Sequence, residues 1–395
     1  MERSFYPFMQ TVKIDGSEIC AAYLKHRASL LQILNNADAY VTIDGDPGGY
    51  PDAKAPEFVR VLQADRETIN AHGERPKEQK IVPWIWAGWG GKQIWREPLE
   101  PLVGPVLEEL KKSMGEPWEM LPGRSIREGW ANGRTNITLT EKAGLMNRST
   151  LLFYEIIEFE PTPPAAVLQF DDIRRVFNQE LHFAANARGC FGNAQQPIIV
   201  LPNLYLFSRI ASDPAYMKKS DDDVLNDFAG FLGGPAEVLV PAWSCLRLGL
   251  DKLPAELSAK LRAANLGSDA AQHLPGGPKR YLEILAEQVD ARQRVLRAIA
   301  APAENDAAAA TALVSAMEGL VNWWKVHGYV GQSQEKIGFR WEFTHSLLSE
   351  PLKQWGLKNT KDWKAVAEQC AKELAQKKIL PEVDAKARML ELLRR

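Results

Sequence analysis

Residues 39–49, with the sequence AYVTIDGDPGG, place a short apolar run directly ahead of aspartate, glycine and proline. An apolar run of this length with β-branched and aromatic residues indicates a strand, and the Gly and Pro that follow it indicate a loop. The same order recurs at residues 81–91 (IVPWIWAGWGG) and at residues 151–164, where LLFYEIIEF is followed by three prolines. This repeated order of strand and loop decides the predicted fold.

Helices are predicted between the strands, since apolar residues recur at helical spacing near residues 55–71, 102–113 and 171–187. Strands that alternate with helices are typical of an α/β fold with a parallel sheet. Further strand candidates lie at residues 189–192 and 198–201, with weaker ones at residues 5–12 and 119–126, so the chain offers at most seven. A complete (β/α)₈ barrel has eight strands. We therefore expect a TIM-like barrel that is incomplete at its N-terminus, because no βα unit is evident ahead of the first clear strand.

Beyond residue 204 the apolar period becomes helical. Ser220 is placed to cap a helix that Gly233 ends. Similar apolar stripes lie at residues 282–299, 313–324 and 363–374. The Ala-rich residues 303–312 are predicted to form a loop that leads into a helix. We therefore expect two domains, a (β/α)-barrel domain at residues 1–208 and an all-helical domain at residues 209–395.

The composition argues against several classes of function. With 48 Lys+Arg against 50 Asp+Glu and no basic block, a nucleic-acid partner is not expected. The longest apolar stretches are too short for a membrane span, and residues 1–10 lack the apolar region of a signal peptide, so we expect no membrane partner. The location is left open, with the cytoplasm as the default. The cysteines and histidines are scattered without the spacing of a metal site, so neither a metal nor a cofactor is predicted. The oligomeric state is left open.

Polar residues follow the first predicted strand at its C-terminal end, where parallel barrels keep their active sites. Asp44 and Asp46 lie two residues apart and therefore on the same side of an extended chain. We predict a catalytic role for Asp46 and a substrate-binding role for Asp44. The alternative is a turn in which both carboxylates accept hydrogen bonds from backbone N–H groups.

Tryptophans follow the second predicted strand. An indole offers a large apolar face to a sugar ring together with an N–H that can donate a hydrogen bond, so we predict that Trp86 and Trp89 bind substrate. Packing in the barrel core is the alternative, above all for Trp84. The glycines around Trp89 make a poor core, and they match neither a phosphate loop nor a dinucleotide-binding motif.

The third predicted strand carries Tyr154, Glu155, Glu158 and Glu160. Acidic residues are depleted inside strands, so their presence here needs a reason. An exposed edge strand is one explanation, and glycoside hydrolysis, which commonly uses paired carboxylates, is the other. Glu158 and Glu160 share one side of the strand, opposite Glu155. We predict that Glu158 and Glu160 are catalytic and that Tyr154 binds substrate.

Amide and hydroxyl side chains follow the short strand at residues 189–192. Asn193 comes directly after it, and Asn203 and Tyr205 lie further along the chain. Amides suit sugar hydroxyls because they offer both donors and an acceptor, so these three residues are predicted to bind substrate. Capping of loop backbone is the alternative for the amides, most of all for Gln196.

These stretches carry a resemblance to a known group of proteins. With IDGDPGG (43–49), WAGW (86–89), IEFEP (157–161), and GNAQ (192–195) with LPN (201–203), the chain resembles uncharacterised bacterial barrel proteins related to the β-hexosaminidase-like glycoside hydrolases. The resemblance covers roughly residues 35–235. It implies a barrel with a sugar-shaped pocket and activity on an oligosaccharide or glycoconjugate, including N-acetylhexosaminides.

The chain departs from the hexosaminidases at one important position. Those enzymes carry Gly-Asp-Glu at the end of a barrel strand, with the Glu as general acid and the Asp assisting the substrate acetamido group. The corresponding stretch here is Gly45-Asp46-Pro47, and a proline cannot donate a proton. The acid would then come from Glu158 or Glu160, or from a segment ahead of the chain, or would be absent.

Three functions are consistent with these patterns. The first is a glycoside hydrolase-like protein that needs no cofactor. The second is a non-catalytic carbohydrate-binding protein that has kept the pocket and lost the acid. The third is a helical scaffold protein with a degenerate α/β domain.

Overall fold

A computed structural model of the chain describes residues 18–42, 55–85, 100–125, 135–154, 168–192, 198, 200–244, 253–327 and 350–393. The chain divides into two compact units. The first comprises Met1–Ile156 and Asp171–Asn193, and the second comprises Ile157–Phe170 and Ala194–Arg395. The sequence pattern predicts a domain boundary after residue 208, and the division between the two units after Asn193 lies 15 residues ahead of it.

The first unit alternates helices and strands, as the sequence predicts. Its helices are α1 (Glu18–Ile33), α2 (Ala55–His72), α3 (Glu100–Ser113), α4 (Thr135–Lys142) and α5 (Phe170–Ala184). Its strands are β1 (Ala39–Thr42), β2 (Lys80–Ile85), β3 (Leu121–Ser125), β4 (Thr150–Tyr154) and β5 (Gly189–Gly192). The strands expected near residues 39, 81, 119, 151 and 189 are therefore confirmed, and the candidate at residues 5–12 lies outside the described residues.

The five strands form one parallel sheet in the order β1-β2-β3-β4-β5, curled like half of a barrel. Each neighbour in the sheet is also the next strand in the sequence, so every described connection moves one step in the same direction. The pairing of β2 with the third strand segment is interrupted. Ile81 bridges to Trp118 ahead of β3, and after a gap Trp84 lies opposite Leu121 and Ile85 opposite Pro122. Pro83 of β2 lies in this gap, and a proline has no N–H for the ladder.

One face of the sheet, the outer face, is covered by helices. Tyr40, Ile81 and Ile85 share a buried core with apolar residues of α2 and α3. In α2, Phe58, Leu62 and Ile69 recur at intervals of four and seven residues, which places them on one side of the helix, and all three are buried. Burial of each large apolar side chain stabilises the fold by about 1.5–3 kcal/mol, so this shared core holds α2 and α3 against the outer face.

Every described element of the second unit after residue 200 is helical. These are α6 (Leu201–Ser212), a 3₁₀ turn (Pro214–Lys218), α7 (Asp221–Leu232), α8 (Ala236–Ser244), α9 (Leu257–Ala263), α10 (Asp269–Gln272), α11 (Gly277–Ala298), α12 (Asp306–His327), α13 (Glu350–Asn359), α14 (Trp363–Gln376) and α15 (Glu382–Leu393). The last five of these helices share one apolar core that includes Val295, Met317, Leu352, Cys370 and Met389. The caps predicted for α7 are confirmed, since Ser220 Oγ accepts a hydrogen bond from Asp223 N–H and Gly233 ends the helix at φ 65°.

One prediction of local structure is wrong. The strand expected at residues 198–201 does not form, because Ile198 lies in a 3₁₀ turn and α6 begins at Leu201 with proline at its second position, where a missing N–H costs nothing. Residues 303–312 are a short loop that leads into a helix, as predicted, and α12 begins early in them, at Asp306. Alanine has the highest helix propensity, so an Ala-rich stretch extends a helix readily.

Candidate functional site

The C-terminal edge of the sheet is the place from which the candidate segments leave. Strands β1, β2, β4 and β5 end at Thr42, Ile85, Tyr154 and Gly192. The stretches that carry the predicted site follow directly after these residues. Neighbouring strands are about 4.8 Å apart, so four parallel strands deliver their following segments to one edge of the sheet.

Most of the predicted site residues lie outside the described residues. They are Asp44, Asp46, Trp86, Trp89, Glu158, Glu160 and Asn193. The backbone of Tyr154 is described, and it lies at the C-terminal end of β4 opposite Ser125 of β3. The described strands therefore fix where each candidate segment starts, and the roles of these side chains stay predictions.

The inner face of the sheet, defined by Val41, Val82, Trp84, Leu121, Leu152 and Phe191, is apolar. These residues share a face because parallel register pairs Val41 with Val82, Trp84 with Leu121, and Leu152 with Phe191. Its centre is closed by a small cluster of Val82, Leu121 and Leu152, against which the half-buried Trp84 packs. On the two outermost described strands, the side chains of this face are about half exposed, at 54 % for Val41 of β1 and 53 % for Phe191 of β5.

The opposite, N-terminal edge of the sheet carries charged groups that pair with one another. Glu119 lies ahead of β3 and is buried; its Oε1 accepts a hydrogen bond of 2.5 Å from Lys80 Nζ and another from the Arg188 guanidinium. Arg148 forms an ion pair with Glu116, and Arg75 forms one with Asp38, in the segments that lead into the strands. The polar chemistry predicted from the sequence lies at the other end of the strands.

A second network at the same edge is built on Arg66 of α2, which is only 3 % exposed. Its guanidinium donates hydrogen bonds to the carbonyl oxygens of Gln79 at 2.5 Å, Pro76 at 2.9 Å and Pro117 at 3.3 Å. Burial lowers the pKa of Arg66, because the charged guanidinium loses water. These bonds join α2, the turn ahead of β2 and the segment ahead of β3.

Two buried polar groups toward the C-terminal edge were not identified from the sequence. Asn136 of α4 is fully buried and donates from Nδ2 to the carbonyl oxygen of Gly123 in β3 at 3.0 Å. Among the described residues its Oδ1 has no donor, and the same holds for the buried Thr42 Oγ1 at the end of β1. Such orphaned groups cost about 1–3 kcal/mol each and call for a water or a ligand. In the sequence Asn136 looks like an ordinary residue at a helix start.

Asn203 and Tyr205 lie on α6 in the second unit, where both have structural contacts. Asn203 is 1 % exposed, and its Oδ1 accepts a hydrogen bond of 2.9 Å from the backbone N–H of Gln169. The half-buried ring of Tyr205 lies 4.9 Å from Phe228 and 5.5 Å from Phe231, between ring centroids. Both side chains make contacts that stabilise the second unit. Their surroundings give no support to the predicted sugar-binding role.

Among the described residues, no three His, Cys, Asp or Glu side chains come together in a group that could hold a metal ion. No helix in the described part of the chain combines the length and apolar character that a membrane crossing requires. The thiols of Cys190 and Cys370 are free, and burial raises their pKa values to about 11 and about 12.

Comparison with protein-family models, with curated protein sequences and with solved structures finds no match to this chain.

Proposed function

We propose that the chain is a glycoside hydrolase-like protein whose carbohydrate site lies at the C-terminal edge of the parallel sheet. Its substrate is an oligosaccharide or glycoconjugate, including N-acetylhexosaminides. The observation that carries the proposal is the sheet itself, because β1, β2, β4 and β5 are parallel and each precedes one of the candidate segments. Sites at this edge are the rule for parallel α/β folds.

In this proposal β1 to β5 are an arc of a TIM-like barrel, followed by an α-helical C-terminal domain. The strand order supports the barrel, since doubly wound sheets reverse their order at a switch point and the described strands run in sequence order throughout. β1 and β5 are the outermost strands of the described sheet, and further barrel strands would pair along them. An arc of five strands also fits a sheet that is curled rather than flat.

The catalytic roles in this proposal fall to the carboxylates of Asp46, Glu158 and Glu160. Since β1 and β4 are three strand spacings apart, their ends are about 14 Å apart along the sheet, and curling brings the following loops closer. A carboxyl pair acts on a glycosidic bond at roughly 5–10 Å, so loops of a few residues are sufficient to close the gap. Trp86, Trp89 and Asn193 would hold the sugar between these carboxylates.

A non-catalytic carbohydrate-binding protein is the second candidate. Pro47 favours it, because this position carries the general acid in the hexosaminidases that the chain resembles. The same edge of the sheet and the same tryptophans would then bind sugar without cleaving it.

Turnover of a panel of aryl glycosides that includes N-acetylhexosaminides tests the proposal. The variants Glu158→Gln and Glu160→Gln keep the side-chain shape and remove the ionisable group. Proton transfer by a positioned group is worth about 10²- to 10⁴-fold in rate, so one of them should lose about that much turnover. Glu155→Gln is the matched control, because the two-residue alternation predicted from the sequence places it opposite Glu158 and Glu160.

The outcomes separate the two candidates. Loss of turnover in Glu158→Gln or Glu160→Gln, with Glu155→Gln unchanged, supports the hydrolase. Sugar binding without turnover by the parent protein supports the binding protein. Neither binding nor turnover on any glycoside would contradict both.

A further inference from the structure

The two outermost strands of the described sheet, β1 and β5, are alike in length and in surroundings. Each has four residues and pairs with one described strand, β1 with β2 and β5 with β4. Among the described residues, none forms a hydrogen bond with the outward backbone groups of either strand. Outward N–H and C=O groups of this kind are a template for pairing with another chain.

The outward edge of β5 complements the outward edge of β1 in a second copy of the chain. In a parallel sheet each strand turns alternate residues toward the strand before it and the strand after it, so the edge that β5 offers is the edge that β1 can accept. A two-fold axis along the barrel axis would place each β5 beside the β1 of the other copy. This symmetry closes the ring and uses both edges of both copies.

Side chains along the two edges match when the four residues of each strand are aligned. Val41 then lies beside Phe191, and both are half-exposed apolar residues of the inner face. Asp38 directly precedes β1 and Arg188 directly precedes β5, so a carboxylate meets a guanidinium at the N-terminal end of the pair. Both remain accessible beside their own ion-pair partners, since the Asp38 side chain is 87 % and the Arg188 side chain 51 % exposed. Pairing of β1 with a second β1 would lack this charge pair.

The end of α1, which leads into β1, carries a further apolar surface. Leu30, Ile33 and Leu34 are exposed there, whereas Leu31 packs against the core that α1 shares with α2. Three large apolar side chains grouped at one helix end are typical of an interaction surface. In the two-fold arrangement the nearest helix of the second copy is α5, because α5 leads into β5 as α1 leads into β1.

We infer that two copies of this chain associate by pairing β1 of one with β5 of the other, and so complete one parallel barrel. A second copy is the occupant because this chain itself supplies both matching edges. The inference rests on the barrel arc of the proposed function and deepens it, since segments of both copies would then border the carbohydrate site at the C-terminal edge.

Sedimentation equilibrium of the full chain, without any sugar, tests the association. The parent protein should sediment at twice the mass of one chain. Val41→Lys should weaken the dimer at least about tenfold, because pairing would bury the added ammonium. Val383→Lys is the matched control, since Val383 is an exposed valine on α15 of the second unit, and it should sediment as the parent does. Circular dichroism checks that each variant is folded.

Disulfide cross-linking identifies the strands that pair. Residues opposite each other on neighbouring strands lie about 4.8 Å apart, a distance that a disulfide can span. A mixture of Val41→Cys and Phe191→Cys chains should therefore yield a disulfide-linked dimer under mild oxidation, and neither variant alone should do so.

Three results would overturn the inference. A parent protein that stays monomeric at about 0.1 mM would exclude a dimer of useful affinity, while turnover of glycosides would still test the proposed function separately. A dimer that Val41→Lys leaves intact would use another surface. Cross-linking of Val41→Cys with itself, as efficient as with Phe191→Cys, would show that β1 pairs with β1.

Discussion

Replacement of Arg66 by methionine tests whether the N-terminal edge of the sheet serves stability rather than function. The side chain is buried, and methionine keeps much of its apolar stem while removing every donor. Three backbone carbonyl oxygens, of Pro76, Gln79 and Pro117, lose the guanidinium, as does Asn70 Oδ1. Each orphaned acceptor costs about 1–3 kcal/mol when water cannot replace the donor. Because the bond to Pro117 is long and part of this turn can hydrate, we expect a total loss of about 3–5 kcal/mol.

Urea unfolding followed by far-UV circular dichroism measures this loss in the first unit. Glu67→Met is the control, since Glu67 lies exposed on the same helix and a substitution there should change stability by about 0.5 kcal/mol or less. A chain with two compact units can show two unfolding transitions. The urea midpoint that Arg66→Met lowers is then assigned to the first unit, and the unchanged midpoint to the second. A difference between the two variants below about 1 kcal/mol would refute the reasoning.

Three further predictions concern other parts of the molecule. Gly233→Ala should destabilise the second unit by about 1–2 kcal/mol, because φ is 65° and a Cβ would lie 2.7 Å from Ser268 N. In Gly230→Ala on the same helix the added Cβ meets no atom within 4 Å, so this variant should stabilise the unit by about 0.5–1 kcal/mol. A lower thermal unfolding temperature for Gly230→Ala than for Gly233→Ala would contradict this. Hydrogen bonds from Lys219 and then Tyr216 hold the pKa of Asp227 below its usual range, so its contribution to stability is complete above an unfolded-state pKa of about 3.9 and is lost as pH falls through the lower folded-state pKa. The difference in unfolding free energy between the parent and Asp227→Asn should therefore shrink below about pH 4, and a constant difference down to about pH 3 would be inconsistent with it. Burial raises the pKa of the Cys190 thiol to about 11 and that of the Cys370 thiol to about 12. Both thiols should therefore resist iodoacetamide at pH 8 in the folded protein and react with it in urea. Rapid labelling of either thiol in the folded protein, detected by mass spectrometry, would contradict their burial.

Much of the fold could be predicted from local sequence patterns. Residues 39–42 and 80–85 are rich in β-branched and aromatic residues, and they form strands where the pattern indicates them. The cap at Ser220 and the stop at Gly233 were predictable because they depend on side-chain chemistry within one turn. Strand β3 was only a weak candidate, since LPGRS contains a proline and a glycine, and its pairing with β2 and β4 makes it a strand.

The site was harder to predict, because burial and distant partners decide the roles of its polar residues. Asn203 looked like a ligand for hydroxyls, yet its partner is the backbone of Gln169, 34 residues earlier in the chain. Asn136 attracted no attention, yet it is buried against β3 with an oxygen that no described donor reaches. No local pattern shows either fact, since both depend on which elements pack together.

The separation of the Asp46 and Glu158 carboxyl groups tests the proposed function most directly. It can be measured in a crystal structure of the protein with an N-acetylglucosamine oligosaccharide bound. We predict that the two groups lie roughly 5–10 Å apart on either side of a glycosidic bond, because glycosidases place their carboxyl pairs at that distance. Carboxyl groups farther apart than about 14 Å, the span between the ends of β1 and β4 along the sheet, would contradict a shared catalytic site.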